Sequence, residues 1–574
     1  MAAHHVSGRS GPIMTAAADA LPDDPLPWHR RPTTWTWAAT GAVLVLYAVL
    51  AWQRRWMSDD GLLVLRTVRQ ILAGNGPVFN VGERVEASTS PLWTWLLAGA
   101  GTIPGPPLEW IAVLTGLLCA VGGLFFGLDG ARRLYAGPVA PAGALVVCAL
   151  PPFRDFATSG LETGLVLLWL GLSWWLLVRG TAPIATAIVL GLGPLVRPDL
   201  ALFSVVGFVA LVLLRRPRWL AALGWLGAGI AIPVAYQVFR MGYYGLLTPN
   251  TALAKEAANS DWPRGFAYLT DLISPYLLWI PLLLLVIAAV LVRRSRLLLL
   301  TSLVSGVLLA LYVVRVGGDF MHGRMLLPAL FVLLLPVMAI PLTRKTIACL
   351  AGVAAWSVIA SGWLRVPYEG THLAVSVTDE RGYWSWATGH EYPVLATDYL
   401  GQDVIRHAVD AVQATTRPAV LVYSYGDVKQ WFRFPTNRPY VTMAADSMGA
   451  ISNIVSLDVR IHDGYGLASD LASHSSSIAG GRPGHSKWLV AAWEIAEAGY
   501  GDYATDGEIR MFQPAEIDAA RAALRCPDVQ NVLASTREPL TWSRFIDNFT
   551  GSVHRTEIRY PRDPWAAAQC APAK

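Results

Sequence analysis

Long apolar runs fill the chain up to about residue 364, and the remainder has the mixed pattern of a water-soluble domain. A transmembrane helix needs roughly 20 consecutive apolar residues. The runs therefore predict about 11 spans, at 34–53, 108–130, 139–151, 161–178, 182–196, 199–214, 218–239, 268–292, 297–315, 325–343 and 346–363. After residue 364 the pattern predicts a mixed α/β domain, with helices at 401–413 and 514–525 and a buried strand at 417–428.

The segment 90–104 is apolar but short, and it ends in a proline. It predicts an interfacial or partly inserted helix with Trp93 and Trp95 at headgroup level. If it crossed the membrane instead, every later loop would change sides, and the sequence leaves that question open.

Basic residues cluster between the predicted spans, and with this topology the clusters all fall on one side. They lie at 29–31, 132–133, 179, 215–218, 293–296 and 344–345. The positive-inside rule makes this side the cytoplasm. The opposite, periplasmic side then receives five loops, at 54–107, 151–163, 196–199, 240–267 and 315–325, together with the soluble domain.

This pattern divides the chain into three parts. Residues 1–30 are a disordered cytoplasmic tail, 31–363 are a transmembrane domain with 54–107 as its first periplasmic loop, and 364–574 are a periplasmic soluble domain. The chain has no convincing internal repeat, which disfavours a secondary transporter, because many transporters are built from repeats.

Composition agrees with a polytopic membrane protein. Of the 574 residues, 54% are hydrophobic and 15% are charged, whereas soluble domains carry about 25% charged residues. The net charge of +5 is too small to suggest nucleic-acid binding. Cys526 and Cys570 lie in the soluble part and either form a disulfide or remain free thiols.

The stretch "SDDG" follows the first predicted span and contains two adjacent carboxylates, Asp59 and Asp60. Ser58 can cap a helix there, and acidic residues are favoured in a first helical turn. The apolar periodicity that follows predicts an interfacial helix with Arg66, Arg69 and Gln70 on its surface. The alternative is chemical: a partly desolvated Asp beside a second Asp has a raised proton affinity, which suits a general base.

Cations and carboxylates recur in the other loops of the same face. Glu162 opens a span, Arg197 and Asp199 flank Pro198, Lys255 ends "TPNTALAK", and "GGDFMHGRM" carries Asp319, His322 and Arg324. Converging cations describe a pocket for an anionic lipid headgroup, with Arg197 gripping a phosphate. For a single residue, snorkelling to lipid phosphate is the alternative, and Asp199 is expected to pair with Arg197.

The soluble domain contains a dense polar patch between residues 463 and 487. Its members are either the lining of an acceptor site or a surface loop, and they are Asp470, His474, Arg482, His485 and Lys487.

The segments "SDDGLLVLRTVRQILAGNGPVFNVGERVEASTSPLW", "SGLET", "RPD", "TPNTALAK", "GGDFMHGRMLLP" and "GLASDLASHSSSIAGGRPGHSKW" occur in this order. Together they resemble the GT-C superfamily of polyprenyl-phosphate-sugar glycosyltransferases, and within it the terminal β-(1→2)-arabinofuranosyltransferases of the mycobacterial cell wall. The resemblance covers nearly the whole chain apart from the N-terminal tail.

The resemblance implies a decaprenylphosphoryl arabinofuranose donor, the non-reducing ends of arabinan as acceptor, and inversion at the anomeric carbon. Asp59 or Asp60 is then the base, with Asp59 favoured because it lies nearer the span. Arg197, Lys255, His322 and Arg324 are the candidate phosphate ligands, and Asp319 orients one of them. No cofactor is required, although paired Asp residues could hold a divalent metal.

Two other functions stay open. One is transfer of another sugar, such as mannose, from the same kind of carrier. The other is a transporter or flippase for a lipid-linked glycan, which would place ionisable residues at mid-span rather than at one face. The expected protein is a monomer in the plasma membrane, in contact with lipid, donor and acceptor.

Overall fold

The computed structural model describes residues 34–135, 137–256, 259–292, 295–364, 377–423, 431–445, 447–478, 481, 484–499 and 513–570. The predicted tail at 1–30 and the candidate residue Arg482 lie outside these residues.

Helices make up almost all of the apolar part. They are α1 (Thr34–Trp52), α2 (Asp59–Leu72), α3 (Pro91–Ala100), α4 (Leu108–Arg132), α5 (Ala142–Ala149), α6 (Pro151–Asp155), α7 (Thr163–Arg179), α8 (Pro183–Gly191), α9 (Gly193–Val196), α10 (Ala201–Arg215), α11 (Trp219–Tyr243), α12 (Asn250–Ala254), α13 (Trp262–Ile273), α14 (Trp279–Val290), α15 (Arg296–Arg315), α16 (Leu327–Leu334) and α17 (Ile347–Gly362). A two-residue antiparallel pair joins β1 (Val139–Ala140) to β2 (Ile340–Pro341).

In the described residues, five helical segments are long and apolar enough to cross a membrane: Thr34–Trp52, Leu108–Arg132, Pro198–Arg215, Trp219–Tyr243 and Arg296–Arg315. Shorter apolar segments occupy most of the other predicted spans, at Thr163–Arg179, Pro183–Val196, Trp279–Val290, Arg324–Val337 and Ile347–Gly362. The chain is therefore a helical membrane protein.

Three predicted segments differ in detail from the structure. The span at 268–292 is broken between α13 and α14 by a turn in which Leu277 has φ +48°. The run 139–151 contains β1 and the eight-residue helix α5 rather than a full span, and 90–104 contains the ten-residue helix α3. The prediction for Trp93 was wrong: its side chain is fully buried and its indole donates to the Gly160 carbonyl at 2.9 Å, whereas Trp95 is exposed.

The C-terminal region is mixed α/β, as predicted. Its helices are α18 (Glu380–Thr388), α19 (Asp403–Gln413), α20 (Met448–Ile454), α21 (Asp470–Ser473), α22 (Ala491–Glu497), α23 (Pro514–Ala523), α24 (Pro527–Arg537), α25 (Trp542–Glu557) and α26 (Pro564–Ala567). Strands β3 (Ala419–Tyr423), β4 (Trp431–Pro435), β5 (Thr442–Ala444) and β6 (Arg460–His462) form one sheet in the order β4-β3-β5-β6. The β3–β4 pair is antiparallel, and the β3–β5 and β5–β6 pairs are parallel.

One hydrophobic core extends from the membrane helices into the C-terminal region. It includes Tyr47 of α1 and Leu65 of α2, and it continues to Met443 of β5 and Ile451 of α20. A second core lies on the far side of the sheet, around Phe434 and Trp493. Because the first core crosses between the two parts, the C-terminal region is packed on the helices rather than tethered to them.

Cys526 and Cys570 are joined by a disulfide, with an S–S distance of 2.08 Å and a sequence separation of 44. The bond connects the start of α24 to the chain beyond α26, so it closes the last helices of the C-terminal region into one loop. Cys119, Cys148 and Cys349 are buried free thiols.

Candidate active site

The start of α2 is fixed against the segment that precedes α7. Ser58 caps the helix, because its hydroxyl oxygen accepts from the Gly61 amide at 2.9 Å, and the Ser58 amide donates to the Ser159 carbonyl at 2.9 Å. A Cβ at Gly61 would lie 2.7 Å from that same Ser159 carbonyl oxygen. The small residue after the two carboxylates therefore allows "SDDG" and "SGLET" to lie together.

The polar face of α2 points into the protein, so the prediction that it faces the surface was wrong. The Arg66 and Gln70 side chains are both fully buried. The Arg66 guanidinium donates to four carbonyls at and beyond the end of α20, at 2.8–3.1 Å, and they belong to Ser452, Ser456, Leu457 and Val459. Arg69 donates to Ser452 and to Asn453 at 3.1 and 2.8 Å. These two cations satisfy the C-terminal carbonyls of α20.

Asp59 holds the other end of α20. Its carboxylate oxygens accept from the Gly449 amide at 3.2 Å and from the Ala450 amide at 2.8 Å. A Cβ at Gly449 would lie 1.9 Å from the Asp59 carbonyl oxygen, so only glycine fits this approach. Burial and, to a smaller extent, the charge of Asp60 raise the pKa of Asp59 to about 7 against the lowering effect of the two amides.

The raised pKa of Asp59 gives a pH dependence of stability with a defined sign. Between about pH 4 and pH 7 the folded state holds a proton on Asp59 that the unfolded chain has released. Stability from this group is therefore greatest at low pH and falls as the pH rises through 7. We therefore expect the melting temperature of the wild type minus that of Asp59→Asn to decrease from pH 5 to pH 8. A difference that does not change with pH would contradict this assignment.

Asp60 faces a cavity between the membrane helices and the C-terminal region. The empty space there is about 360 Å³, open solvent included, and its polar lining is Asp59, Asp60, Lys255, Tyr465 and His485. The Asp60 carboxylate lies 4.0 Å from Nη1 of Arg324, and its side chain is 21% exposed. Within the described part of the chain this carboxylate accepts no hydrogen bond, in contrast to that of Asp59.

Two cations stand beside Asp60. Arg324 Nε lies 3.0 Å from Asp319 Oδ2, yet Nε and Nη1 are buried without a well-aligned acceptor among the described residues. Although burial alone would raise the pKa of Asp319, the charges of Arg324 and Lys255 lower it. The Lys255 ammonium makes neither a hydrogen bond nor an ion pair with any described residue. Both cations therefore have donors available for an anionic oxygen.

Two of the four predicted phosphate ligands, Arg197 and His322, are bonded to other side chains of the protein. Arg197 donates to both oxygens of Asp199, at 2.9 and 2.6 Å, and lies 3.9 Å from Glu162. Asp199 therefore has the ion-pair role predicted for it.

The other of these two ligands, His322, is hydrogen-bonded through both of its ring nitrogens. It bonds Asp271 through Nδ1, at 2.5 Å, and the Tyr276 hydroxyl through Nε2, at 2.9 Å. It lines a neighbouring cavity that also contains Asp155, Glu380 and Arg381.

The polar patch at 463–487 divides between the cavity and the interior. His485 lines the cavity, with its ring 4.9 Å from that of Phe320 and 4.8 Å from that of Tyr465. Asp470 is buried and bound to Thr536 and Arg537.

The other two members of the patch are also buried. His474 bonds backbone carbonyls, and its burial lowers its pKa to about 4. Lys487 donates to the carbonyls of Ser473 and Ser475. These buried positions do not fit a surface loop, and their hydrogen bonds hold the C-terminal region together.

Glu380 at the start of α18 lines the neighbouring cavity and interacts electrostatically with Asp60, and the sequence did not reveal it. Its Oε1 accepts from the Trp384 indole at 3.2 Å, and its buried Oε2 has no partner among the described residues. Burial and then the charge of Asp60 raise the pKa of Glu380 well above its ordinary value. The sequence contains only a weak indication of this role, the acidic pair Asp379 and Glu380. Asp379 caps α18 as Ser58 caps α2.

In the described ranges, no group of three or more His, Cys, Asp or Glu side chains is arranged to hold a metal ion. The acidic residues at the cavity are instead paired with cations, with backbone amides or with an indole.

Comparison with known proteins gives two close relatives. A terminal β-(1→2)-arabinofuranosyltransferase of Mycobacterium tuberculosis is 39% identical, over 92% of this chain and 96% of its own length. The protein of the same description from Corynebacterium glutamicum is 36% identical, over 90% of this chain and 84% of its own length. Residues 405–568 match the AftB family C-terminal domain. No solved structure matches the chain.

Proposed function

Because this chain belongs to the terminal β-(1→2)-arabinofuranosyltransferases of the actinobacterial cell wall, we propose that the cavity beside Asp60 is its active site. The observation that supports this most directly is a carboxylate that accepts no hydrogen bond from the described residues and lies beside two cations with donors available. The donor we propose is decaprenylphosphoryl arabinofuranose, and the acceptor is the non-reducing end of arabinan.

In the proposed reaction Asp60 is the general base. A hydroxyl oxygen of the acceptor forms a bond to C1 of the donor sugar while the bond from C1 to the phosphate oxygen breaks. The hydroxyl proton passes to Asp60, and the configuration at C1 inverts because attack and departure occur on opposite faces. We prefer Asp60 to Asp59 because both oxygens of Asp59 are occupied by the amides of α20.

The leaving group carries the largest change in charge. The polyprenyl monophosphate gains a negative charge as it departs, and cations held in place before the reaction stabilise that charge most effectively. Arg324, oriented by Asp319, and Lys255 supply these charges in our proposal. A phosphate is already a good leaving group, so the reaction as proposed needs neither a general acid nor a metal.

Glu380 has a supporting role in the same proposal. Burial and the charge of Asp60 raise the pKa of Glu380 well above its ordinary value, which favours its neutral form over a second negative charge near Asp60. A protonated carboxyl with a buried oxygen can also donate to a sugar oxygen.

We propose the topology predicted from the basic clusters, with 11 spans, a cytoplasmic N-terminus and the C-terminal region in the periplasm. We also propose that the protein acts as a monomer. In intact cells an impermeant thiol reagent should then label a cysteine placed at the exposed Ser477.

The test uses purified protein, synthetic decaprenylphosphoryl arabinofuranose and a short arabinan. We expect a new β-(1→2)-linked arabinofuranose by mass spectrometry and NMR, with turnover unchanged by EDTA. Decaprenylphosphoryl mannose is the matched control donor. Transfer of mannose alone would contradict the donor, and loss of turnover in EDTA that Mg²⁺ or Mn²⁺ restores would contradict the metal-free reaction.

A further inference from the structure

Helix α25 turns its polar side towards the protein. Asn548, Ser552 and Arg555 are at most 4% exposed. The Asn548 amide donates to the Gly242 and Ser535 carbonyls at 3.1 and 2.9 Å. The Arg555 guanidinium donates to the Gly245 carbonyl at 3.0 Å. The buried side of the helix is thus attached to the protein largely by hydrogen bonds.

The apolar side of the same helix faces outwards. Trp542 is 77% exposed, Ile546 48% and Val553 49%. With Phe545 and Phe549 these residues follow the i, i+3, i+4, i+7, i+11 spacing of a single helical stripe. An amphipathic helix in water buries such a stripe, whereas α25 exposes three of its five members and leaves Phe545 and Phe549 half-buried.

The location of α25 indicates what covers the stripe. The helix packs on the end of α11, a 25-residue candidate span in which an 18-residue apolar stretch is only 6% buried inside the protein. A Cβ at Gly242 in the last turn of α11 would lie 2.1 Å from the Phe545 ring, and the Thr556 hydroxyl accepts from the Leu247 amide at 2.9 Å. The exposed stripe therefore adjoins the point where a lipid-facing helix reaches the membrane boundary.

We propose that α25 is an interfacial helix whose stripe from Trp542 to Val553 inserts into the lipid surface beside α11. Tryptophan is favoured at headgroup level, and interfacial helices bury their apolar face roughly 5–10 Å into the boundary. The C-terminal region is thereby anchored to the bilayer at a point separate from its contacts with α2. This anchor fixes the height of the cavity above the lipid from which a membrane-bound substrate enters.

The test places single cysteines on the two exposed sides of α25 in the full-length protein. Ile546→Cys and Val553→Cys report on the apolar stripe, and Thr550→Cys and His554→Cys, which are also exposed, are the matched controls. Each is labelled with the fluorophore NBD and reconstituted in nanodiscs. The unsubstituted protein, whose free cysteines are buried, is the labelling blank.

We expect nitroxide-labelled lipids to quench NBD at 546 and 553 at least about twofold more than at 550 and 554. The emission at 546 and 553 should also shift to the blue on transfer from water to lipid. Equal, water-like emission at all four positions would overturn the proposal. A blue shift at 546 and 553 without lipid quenching would overturn it too, because a protein partner or a second copy would then cover the stripe.

Discussion

Replacing Asp60 with Asn is expected to lower turnover about 100- to 10,000-fold, the usual contribution of a general base. The change removes the proton acceptor but preserves the shape of the side chain. It breaks no hydrogen bond within the described residues. The contact that it weakens there is the ion pair with Arg324 at 4.0 Å. Turnover of the synthetic donor, with the melting temperature measured beside it, checks the expectation.

The matched control is Asp59→Asn, one position earlier on the same helix. This change places an amide NH₂ group opposite one of the two amide donors of α20, so we expect a loss of stability of about 1–3 kcal/mol. Asp60→Asn should therefore lose activity at an unchanged melting temperature, whereas Asp59→Asn should lose stability. If Asp60→Asn keeps turnover within a few-fold of the wild type, Asp60 is not the base.

Replacing Arg324 with Gln is expected to lower kcat for the lipid-linked donor about 100- to 1,000-fold, as loss of a preorganised charge at a developing anion does. The Arg324 guanidinium is the cation nearest Asp60, and two of its nitrogens are buried without a well-aligned acceptor in the described residues. Steady-state kinetics with the synthetic donor measure the effect.

Two further variants separate catalysis from folding. Arg324→Gln leaves Asp319 without its nearest cation, so the double change Arg324→Gln with Asp319→Asn restores neutrality and should be folded but inactive. Lys255→Gln removes a cation without ion pairs in the described part, so a smaller loss of kcat at unchanged melting temperature is expected. Wild-type kcat in the double variant would exclude Arg324 from the phosphate site.

Local patterns in the sequence predicted the local structure well. Apolar runs gave most of the helices, and the Ser58 cap and the first turn of α2 follow from residue types alone. The convergence of Lys255, Asp319 and Arg324 on "SDDG" was also predicted, because topology brings loops of one membrane face together.

Partners distant in the chain were not predicted. Nothing near His322 in sequence indicates that Asp271 and Tyr276 occupy both of its ring nitrogens. The polar face of α2 was interpreted as a water-facing surface. Periodicity shows that one side of a helix is polar and the other apolar, but it does not show whether the polar side contacts water or protein. Glu380 was missed for the same reason, since its role depends on Asp60, more than 300 residues earlier.

Because α2 binds both ends of α20, we expect the membrane part to be inactive without the C-terminal region. A truncation before residue 448 would leave the buried Arg66 guanidinium without four of its acceptors and the Asp59 carboxylate without both of its donors. The helix that presents the proposed base would then lose the contacts that orient it. We therefore expect the two parts of the chain to unfold together, and we expect a ligand that separates α20 from α2 to stop transfer without entering the cavity.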